Sequence, residues 1–284
     1  MPAKIIDGKK IAEKILEKAK KDVKALKEKG TTPKLVVIQV GDDPASSIYV
    51  QKKRDKCLEL GMASEIKKFG EKITYTEFLF EIEKLNKDDS VHGILIQLPL
   101  PEHLSHKQVF ETIDVCKDVD GLHPANHGKN LLGKECFRPA TPIGIMKILH
   151  ETGVKLEGKN AVVIGRSNIV GKPIAIMLLN AGCTVTICHS KTTNLKEHTL
   201  KADILISAAG KPKLVKESMV KKGAIVIDVG TTKMKNGKLC GDVDFEKVRK
   251  KASWITPVPG GVGPMTIASV VENTVKACRE ITNA

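Results

Sequence analysis

Apolar positions along the chain follow two alternating rhythms, and that alternation predicts an architecture. Ile11, Ile15, Leu16, Ala19, Val23 and Leu26 fall at helical spacing, with lysines and glutamates between them, until Gly30 ends an amphipathic helix. Leu35–Val40 follows as a continuous β-branched run. It ends in Gly41-Asp-Asp-Pro44, a loop whose proline opens a helix expected over Ala45–Leu60. The alternation continues with a strand at Ser64–Phe69, a helix at Thr74–Lys87, a strand at Val91–Gln97 and a helix at Ser105–Val115. Strands separated by helices imply parallel pairing, because a parallel neighbour is reached only through a long crossover.

The pattern lapses between Cys116 and Ala140, a polar stretch read as a functional loop approaching a domain boundary. Thr141-Pro142 opens another helix. After Gly158 a second series has strands at Ala161–Ile164, Thr184–Cys188, Ile204–Ser207 and Ala224–Asp228, with helices between. A hairpin over Thr232–Leu239, turning at Lys235-Asn-Gly-Lys238, precedes a short strand near Trp254. The chain closes with a loop, Thr256–Pro264, and a helix from about Thr266 to Thr282. The expected fold is α/β, with two parallel-sheet domains over residues 1–140 and 141–266.

Composition narrows this picture. At 284 residues, 41% hydrophobic and 28% charged, the chain has room for two ordinary globular domains. Its net charge is +14, yet of 47 basic residues only five are arginine, leaving 42 lysines. Arginine forks read bases and clamp phosphates, and stacking platforms need aromatics. With only nine aromatic residues, a dedicated nucleic-acid binder is disfavoured against a lysine-coated surface. The seven cysteines show no paired metal spacing and read as reduced thiols. No segment approaches the ~18 apolar residues of a membrane span, so a soluble, cytoplasmic protein without a membrane or metal partner is expected.

Candidate chemistry sits at the strand ends. Val162-Val-Ile-Gly165-Arg-Ser-Asn-Ile-Val-Gly171-Lys-Pro173 reads as strand, glycine turn and helix, where backbone amides and a helix amino end can meet a pyrophosphate. Ser167 replaces the usual second glycine and Gly171 lies one residue late, so an ordinary strand-to-helix turn fits as well. The next strand ends in His189-Ser190-Lys191, where an NAD site would carry an acid against the ribose hydroxyls. Ser190 can bond a 2′-phosphate, and Arg166 or Lys191 can neutralise it, which favours NADP.

Tyr49 and Lys53 lie at i and i+4 on one helix face, with Lys52, Arg54 and Lys56 crowding Lys53. Like-charge crowding favours the neutral amine that a lysine base requires, although any one lysine is more commonly solvated surface. Gln97 ends a buried-strand pattern at the sheet edge where ligands bind, or else satisfies its own turn. Lys117-Asp118-Val-Asp120-Gly121 offers a carboxylate at that edge or a plain turn. Thr256-Pro-Val-Pro-Gly-Gly-Val-Gly-Pro264 is a loop able to bring backbone against a flat ligand.

Five of these strings together resemble the bifunctional methylenetetrahydrofolate dehydrogenase/methenyltetrahydrofolate cyclohydrolase family, in order and over essentially the whole chain. They are Gly41–Lys53, Gly93–Pro101, Lys117–Gly121, Gly165–Pro173 and Pro257–Thr266. The resemblance implies a Rossmann-type second domain, a cleft between the domains, a final helix packed back on the first domain, and a homodimer. It implies NADP-dependent oxidation of 5,10-methylenetetrahydrofolate to the methenyl cation, then hydration to 10-formyltetrahydrofolate. In the family pattern Lys53 is the catalytic lysine, Gln97 tunes it, Tyr49 lines the pterin site and Asp120 anchors the pterin ring. Folate contacts extend to Val50, Gln51 and Lys52, to Ile96 and Leu98, and to Pro259, Gly260, Gly261, Val262, Gly263, Pro264, Met265, Thr266 and Ile267. Gly165, Arg166, Ser167, Ser190 and Thr231 fall at cofactor positions. The chain departs from the family at Thr231-Thr232, where Ile-Asn is usual. The lysine excess would suit a polyglutamated folate. Two alternatives are a dehydrogenase-only relative and a Rossmann-type dehydrogenase of a small acid, for which His123 and His127 are the candidate bases.

Overall fold

A computed structural model of the chain describes residues 2–104, 106–234 and 237–283. Ser105 of the expected fourth helix and Lys235 and Asn236 of the expected turn lie outside the described residues. In chain order the elements begin with β1 (Lys4–Ile5), α1 (Gly8–Glu28), β2 (Lys34–Val40), α2 (Pro44–Glu59), β3 (Ala63–Phe69), α3 (Tyr75–Lys87) and β4 (Gly93–Ile96). Then come α4 (His106–Thr112), α5 (Pro124–Leu131), α6 (Ala140–Glu151), β5 (Asn160–Ile164), α7 (Gly171–Asn180), β6 (Thr184–Cys188), α8 (Leu195–Thr199) and β7 (Ile204–Ser207). The rest are β8 (Ile225–Asp228), β9 (Thr232–Lys233), β10 (Leu239–Cys240), α9 (Phe245–Val248), β11 (Trp254–Ile255) and α10 (Val262–Thr282).

The elements form two compact units. One comprises residues 14–129, 135–140 and 267–284 and contains a parallel sheet in the order β3-β2-β4. β2 is buried on both faces, which explains why its sequence reads as a continuous apolar run rather than an alternation. Leu35 and Val37 turn one way, into a core with Val23 and Leu26 of α1, Val50 and Cys57 of α2, and Val270, Val271 and Val275 of α10. Val36 and Ile38 turn the other way, against Phe78 and Ile82 of α3 and Val109 and Phe110 of α4. The second unit comprises residues 1–13, 130–134 and 141–266, with an all-parallel sheet in the order β1-β11-β8-β7-β5-β6. β9 and β10 pair antiparallel as the arms of the expected hairpin.

Three elements depart from the sequence expectation. β1 is two residues long, too short for any periodicity, and exists because Lys4 and Ile5 pair with Trp254 and Ile255. α5 occupies the stretch read as a loop; its sequence, Pro-Ala-Asn-His-Gly-Lys-Asn-Leu, is too polar to signal a helix. α10 begins at Val262, so Val262–Pro264 is helix rather than loop. Pro264 sits in its first turn, where a missing N–H breaks no helical bond, and Gly260, at φ +104°, makes the turn before it. No helix among the described residues is long and apolar enough to cross a membrane.

Lys117 ties the carboxyl end of α3 to the segment that follows α4. Its ammonium, almost fully buried, donates to the carbonyls of Leu85 (3.2 Å), Asn86 (2.8 Å) and Asp88 (2.8 Å). These carbonyls lie at the helix end, where i+4 partners run out; those of Leu85 and Asp88 also accept the N–H groups of Asp88 (3.4 Å) and Val91 (3.0 Å). Replacing Lys117 with Met should therefore destabilise the fold by about 2–4 kcal/mol, seen as a lower urea midpoint at unchanged slope. A change within about 0.5 kcal/mol, the usual range for exposed surface positions, would show that the cap is redundant.

Candidate active site

Helix α2 is set by its first turn. Asp43 accepts from the Ser46 N–H at 2.7 Å as N-cap, and Pro44 occupies the position where its lack of a donor is harmless. Tyr49, Lys53 and Cys57 then recur every four residues along one face. Lys53 is only 8% exposed, and its Nζ donates to Gln97 Oε1 at 2.9 Å. Gln97 follows directly on β4. Its N–H donates to the Ile38 carbonyl at 2.8 Å, and its Nε2 donates to the Leu98 carbonyl at 2.8 Å. With the amide nitrogen engaged, the amide oxygen is the atom that turns to the lysine.

Burial holds Lys53 below the ordinary lysine range, with Asp120 and Cys57 pulling the other way. This corrects the expected cause. Among the flanking cations, Lys52 lies 6.0 Å from the Tyr49 ring centroid and Lys56 pairs with Glu59 at 2.5 Å. Neither drives the shift; desolvation of the ammonium does. Burial likewise pushes the Cys57 thiol up to about 12, which keeps it uncharged beside Lys53.

Asp120 reaches this site through backbone pairing. The Ile94 N–H donates to the Lys117 carbonyl at 2.8 Å, and Ile94 bridges Asp118 in parallel, so Asp120 runs level with the end of β4. Burial pushes its carboxyl up to about 6, opposed by Lys53 and reinforced by Asp118. Gly121 completes the turn at φ +69°, where a Cβ would strike the backbone of Arg138 and Pro139. Asp118 is 1% exposed and fixes the segment beyond. It accepts from the Leu122 N–H (3.1 Å), the His123 N–H (2.8 Å) and Asn126 Nδ2 (2.8 Å). The sequence reading passed over this role and that of Lys117, although both residues stand in the same string as Asp120. His123 accepts the Ala125 N–H on Nδ1 at 3.0 Å, a local bond at the start of α5.

The other expected residues fall as follows. Gln51 and Lys52 are exposed on α2, and Leu98 is half-buried after Gln97. Val50, Ile96 and Met265 are core side chains, at 1%, 2% and 0% exposure. Pro259 is exposed and Gly260 half-buried, while Gly261 is pressed against the Gly8 position so closely that a Cβ on Gly8 would overlap its carbonyl. Val262 is buried at the start of α10, Gly263, Pro264 and Ile267 are half-buried, and Thr266 shares a 2.9 Å hydroxyl bond with Thr141.

In the second unit the carboxyl ends of β5, β6, β7 and β8 lead into Gly165, His189, Ala208 and Val229. Gly165, at φ +125°, leaves no room for a side chain: a Cβ would overlap the Ala208 carbonyl, and one on Gly171 would overlap the Gly165 carbonyl. The Ser167 hydroxyl accepts from the N–H groups of Val170 (3.2 Å) and Gly171 (3.3 Å), at the residues where α7 begins. Arg166, Ser190, Lys191 and Thr231 are exposed around this edge. A backbone cradle, a helix amino end and cations without an acid at the end of β6 fit a phosphorylated dinucleotide.

Comparison with known proteins agrees with both units. Residues 6–120 match the family model described as tetrahydrofolate dehydrogenase/cyclohydrolase, catalytic domain. Residues 139–282 match that family's NAD(P)-binding domain. The chain is 54% identical to the "Bifunctional protein FolD" of Bacillus pumilus, over 98% of this chain and 99% of that protein. Among solved structures it is similar to the bifunctional methylenetetrahydrofolate dehydrogenase/cyclohydrolase of Campylobacter jejuni, with 53% identity, coverage of 98% and 99%, and a TM-score of 0.96. It is also similar to the Trypanosoma brucei dehydrogenase-cyclohydrolase complexed with NADP cofactor and inhibitor, with 36% identity, full coverage of both chains and a TM-score of 0.96.

The electrostatics of the site can be measured directly. Carboxyl-carbon NMR should find Asp120 titrating near 6, and replacing Lys53 with Met should move that midpoint higher, because a neighbouring cation is lost. A midpoint near the usual value of about 4 would mean that water reaches the carboxylate freely.

Proposed function

The chain belongs to the tetrahydrofolate dehydrogenase/cyclohydrolase family, and from that membership we propose a two-step activity carried by Lys53. The enzyme oxidises 5,10-methylenetetrahydrofolate to the 5,10-methenyl cation with NADP and hydrolyses the cation to 10-formyltetrahydrofolate. The observation that carries the assignment of roles is the buried Lys53 amine, 2.9 Å from the neutral Gln97 amide.

Oxidation removes a hydride from the carbon bridging two folate nitrogens and leaves a delocalised cation. An ammonium beside that carbon would raise the barrier by repulsion, whereas an amine would not. Burial keeps Lys53 inclined to the neutral form, and Gln97 fixes the nitrogen without adding charge. Bound NADP supplies the hydride acceptor. The Gly165 turn, Arg166, Ser167, Ser190 and Thr231 are the residues proposed to hold it. Ser190 in place of an acid fits its extra phosphate.

Hydrolysis uses the same amine in the opposite sense. As water adds to the bridging carbon, Lys53 takes one of its protons. The resulting ammonium returns that proton to the departing ring nitrogen as the carbon–nitrogen bond breaks, while the hydroxyl proton of the adduct is released to solvent as the formyl carbonyl forms. Asp120, ionised above about 6, is proposed to pair with N–H donors of the pterin ring, with Tyr49 lining the same site. Lys53, Gln97 and Asp120 together favour both activities over a dehydrogenase-only relative. A homodimer, a cytoplasmic location and polyglutamated folates as substrates complete the reading.

Substituting Lys53 with Met should leave measurable dehydrogenase turnover while cyclohydrolase activity falls by about 100-fold or more, the scale of a lost general base. Absorbance at the NADPH and methenyl bands follows both steps in one cuvette. Hydrolysis surviving at near parental rate would remove Lys53 from the second step.

A further inference from the structure

In the second unit two carboxylates are buried with no ligand role assigned to either. Asp242 is 0% exposed and Asp228 3%. Asp242 Oδ2 accepts from the Ser207 hydroxyl (3.1 Å) and the N–H groups of Ala209 (2.7 Å) and Gly210 (3.2 Å), and Oδ1 from the Lys211 N–H (2.8 Å). Asp228 Oδ1 accepts from the N–H groups of Gly230 (3.0 Å) and Asp242 (2.9 Å), and Oδ2 from Val243 (2.9 Å). The two side chains thus knot the segments leaving β7 and β8 to the one leaving β10. The fit is tight: a Cβ on Gly230 would overlap the Asp242 carboxylate, and one on Gly241 the Asp228 carboxylate.

Burying two like charges so close that one accepts the backbone N–H of the other is costly, and a loop needs no such device merely to close. What the device does is curl three consecutive amides, Ala209 to Lys211, inward around one carboxylate. This loop lies against the dinucleotide turn, since the Ala208 carbonyl is the atom that forbids a side chain at Gly165. Gly210, at φ +63°, also carries the carbonyl that accepts from Thr232 Oγ1 at 3.4 Å, next to Thr231.

We propose that Asp242 is a positioning residue for the cofactor: it holds the Ala208–Lys211 loop in the shape that receives the dinucleotide. The inference rests on the NADP reading above and deepens it. Because the amides of Ala209, Gly210 and Lys211 are spent on Asp242 and that of Ala208 on the Ile164 carbonyl, the loop meets the cofactor with carbonyl oxygens. It therefore recognises hydroxyl or amide donors of the dinucleotide, and phosphate recognition is left to the Gly165 turn.

The test uses the whole enzyme and two variants. Asp242→Asn turns an N–H₂ toward donors that need an acceptor. Gly210→Ala adds strain at a positive φ where a Cβ meets nothing within 4 Å, so it disturbs the loop without touching the core. Fluorescence titration should give an NADP dissociation constant raised about tenfold or more for Asp242→Asn and about threefold for Gly210→Ala. These shifts correspond to the usual cost of one buried unpaired donor and of mild backbone strain. The dehydrogenase KM for NADP should rise in step while its kcat at saturating NADP and the hydrolysis rate of added methenyltetrahydrofolate stay within about twofold. Parental NADP affinity in both variants, or parallel loss of cofactor binding and hydrolysis in Asp242→Asn with Gly210→Ala unaffected, overturns the proposal. A parent enzyme that neither reduces NADP nor hydrolyses the methenyl compound would instead refute the functional reading itself.

Discussion

The first unit's site is organised around one desolvated contact, the Lys53 nitrogen against the Gln97 amide oxygen. A lysine in water is an ammonium, useless as a base and repulsive to a developing cation. Taken out of water and given a neutral acceptor, it becomes a group that can tolerate positive charge nearby and later carry a proton. Everything around it serves that state. The capped start of α2 fixes the helix phase, β2 holds the backbone of Gln97, and the Leu98 carbonyl occupies the amide nitrogen, so that only the oxygen faces the lysine.

The carboxylate at this site is positioned by a second layer of polar groups. Lys117 grips the end of α3, Asp118 gathers the N–H groups that open α5, and the pairing of this segment with Ile94 sets Asp120 beside the end of β4. The second unit uses the same means at its own sheet edge, where Asp228 and Asp242 gather backbone amides from three segments. In both units a buried carboxylate with several N–H donors shapes a loop that hydrophobic packing alone would leave undetermined.

Much of this was legible in the sequence, and the parts that were not have physical reasons. β2, β5, β7 and β8 are continuous apolar runs between turn residues, so their existence and parallel pairing could be read from the alternation with helices, whereas the strand order could not. β1 could not, because two residues carry no period and the pairing with β11 spans the chain. α5 was hidden because its sequence is polar and carries no apolar period, and Asp118 fixes the residues that lead into it. Val262–Pro264 looked like loop because glycine and proline signal a break, yet a proline in the first turn is compatible with helix. Tyr49, Lys53, Gln97 and Asp120 were nominated as candidates by residue type and motif, and the structure places the Lys53 nitrogen on the Gln97 amide oxygen. The depression of Lys53 was attributed to neighbouring charge, and only the burial of its nitrogen supplies the cause. Among the described residues the two buried lysines are Lys53 and Lys117, and of these Lys53 is the one whose nitrogen meets a neutral side-chain amide.

The most direct measurement is the titration of Lys53 itself, by NMR of its side-chain carbon and nitrogen in the intact enzyme, assigned with the Lys53→Met variant. Desolvation requires a midpoint below the ordinary 10.5, with the neutral amine gaining population as pH rises through that lower value. A midpoint at or above 10.5 would mean an ammonium stabilised by Asp120, and the neutral-amine mechanism would be wrong.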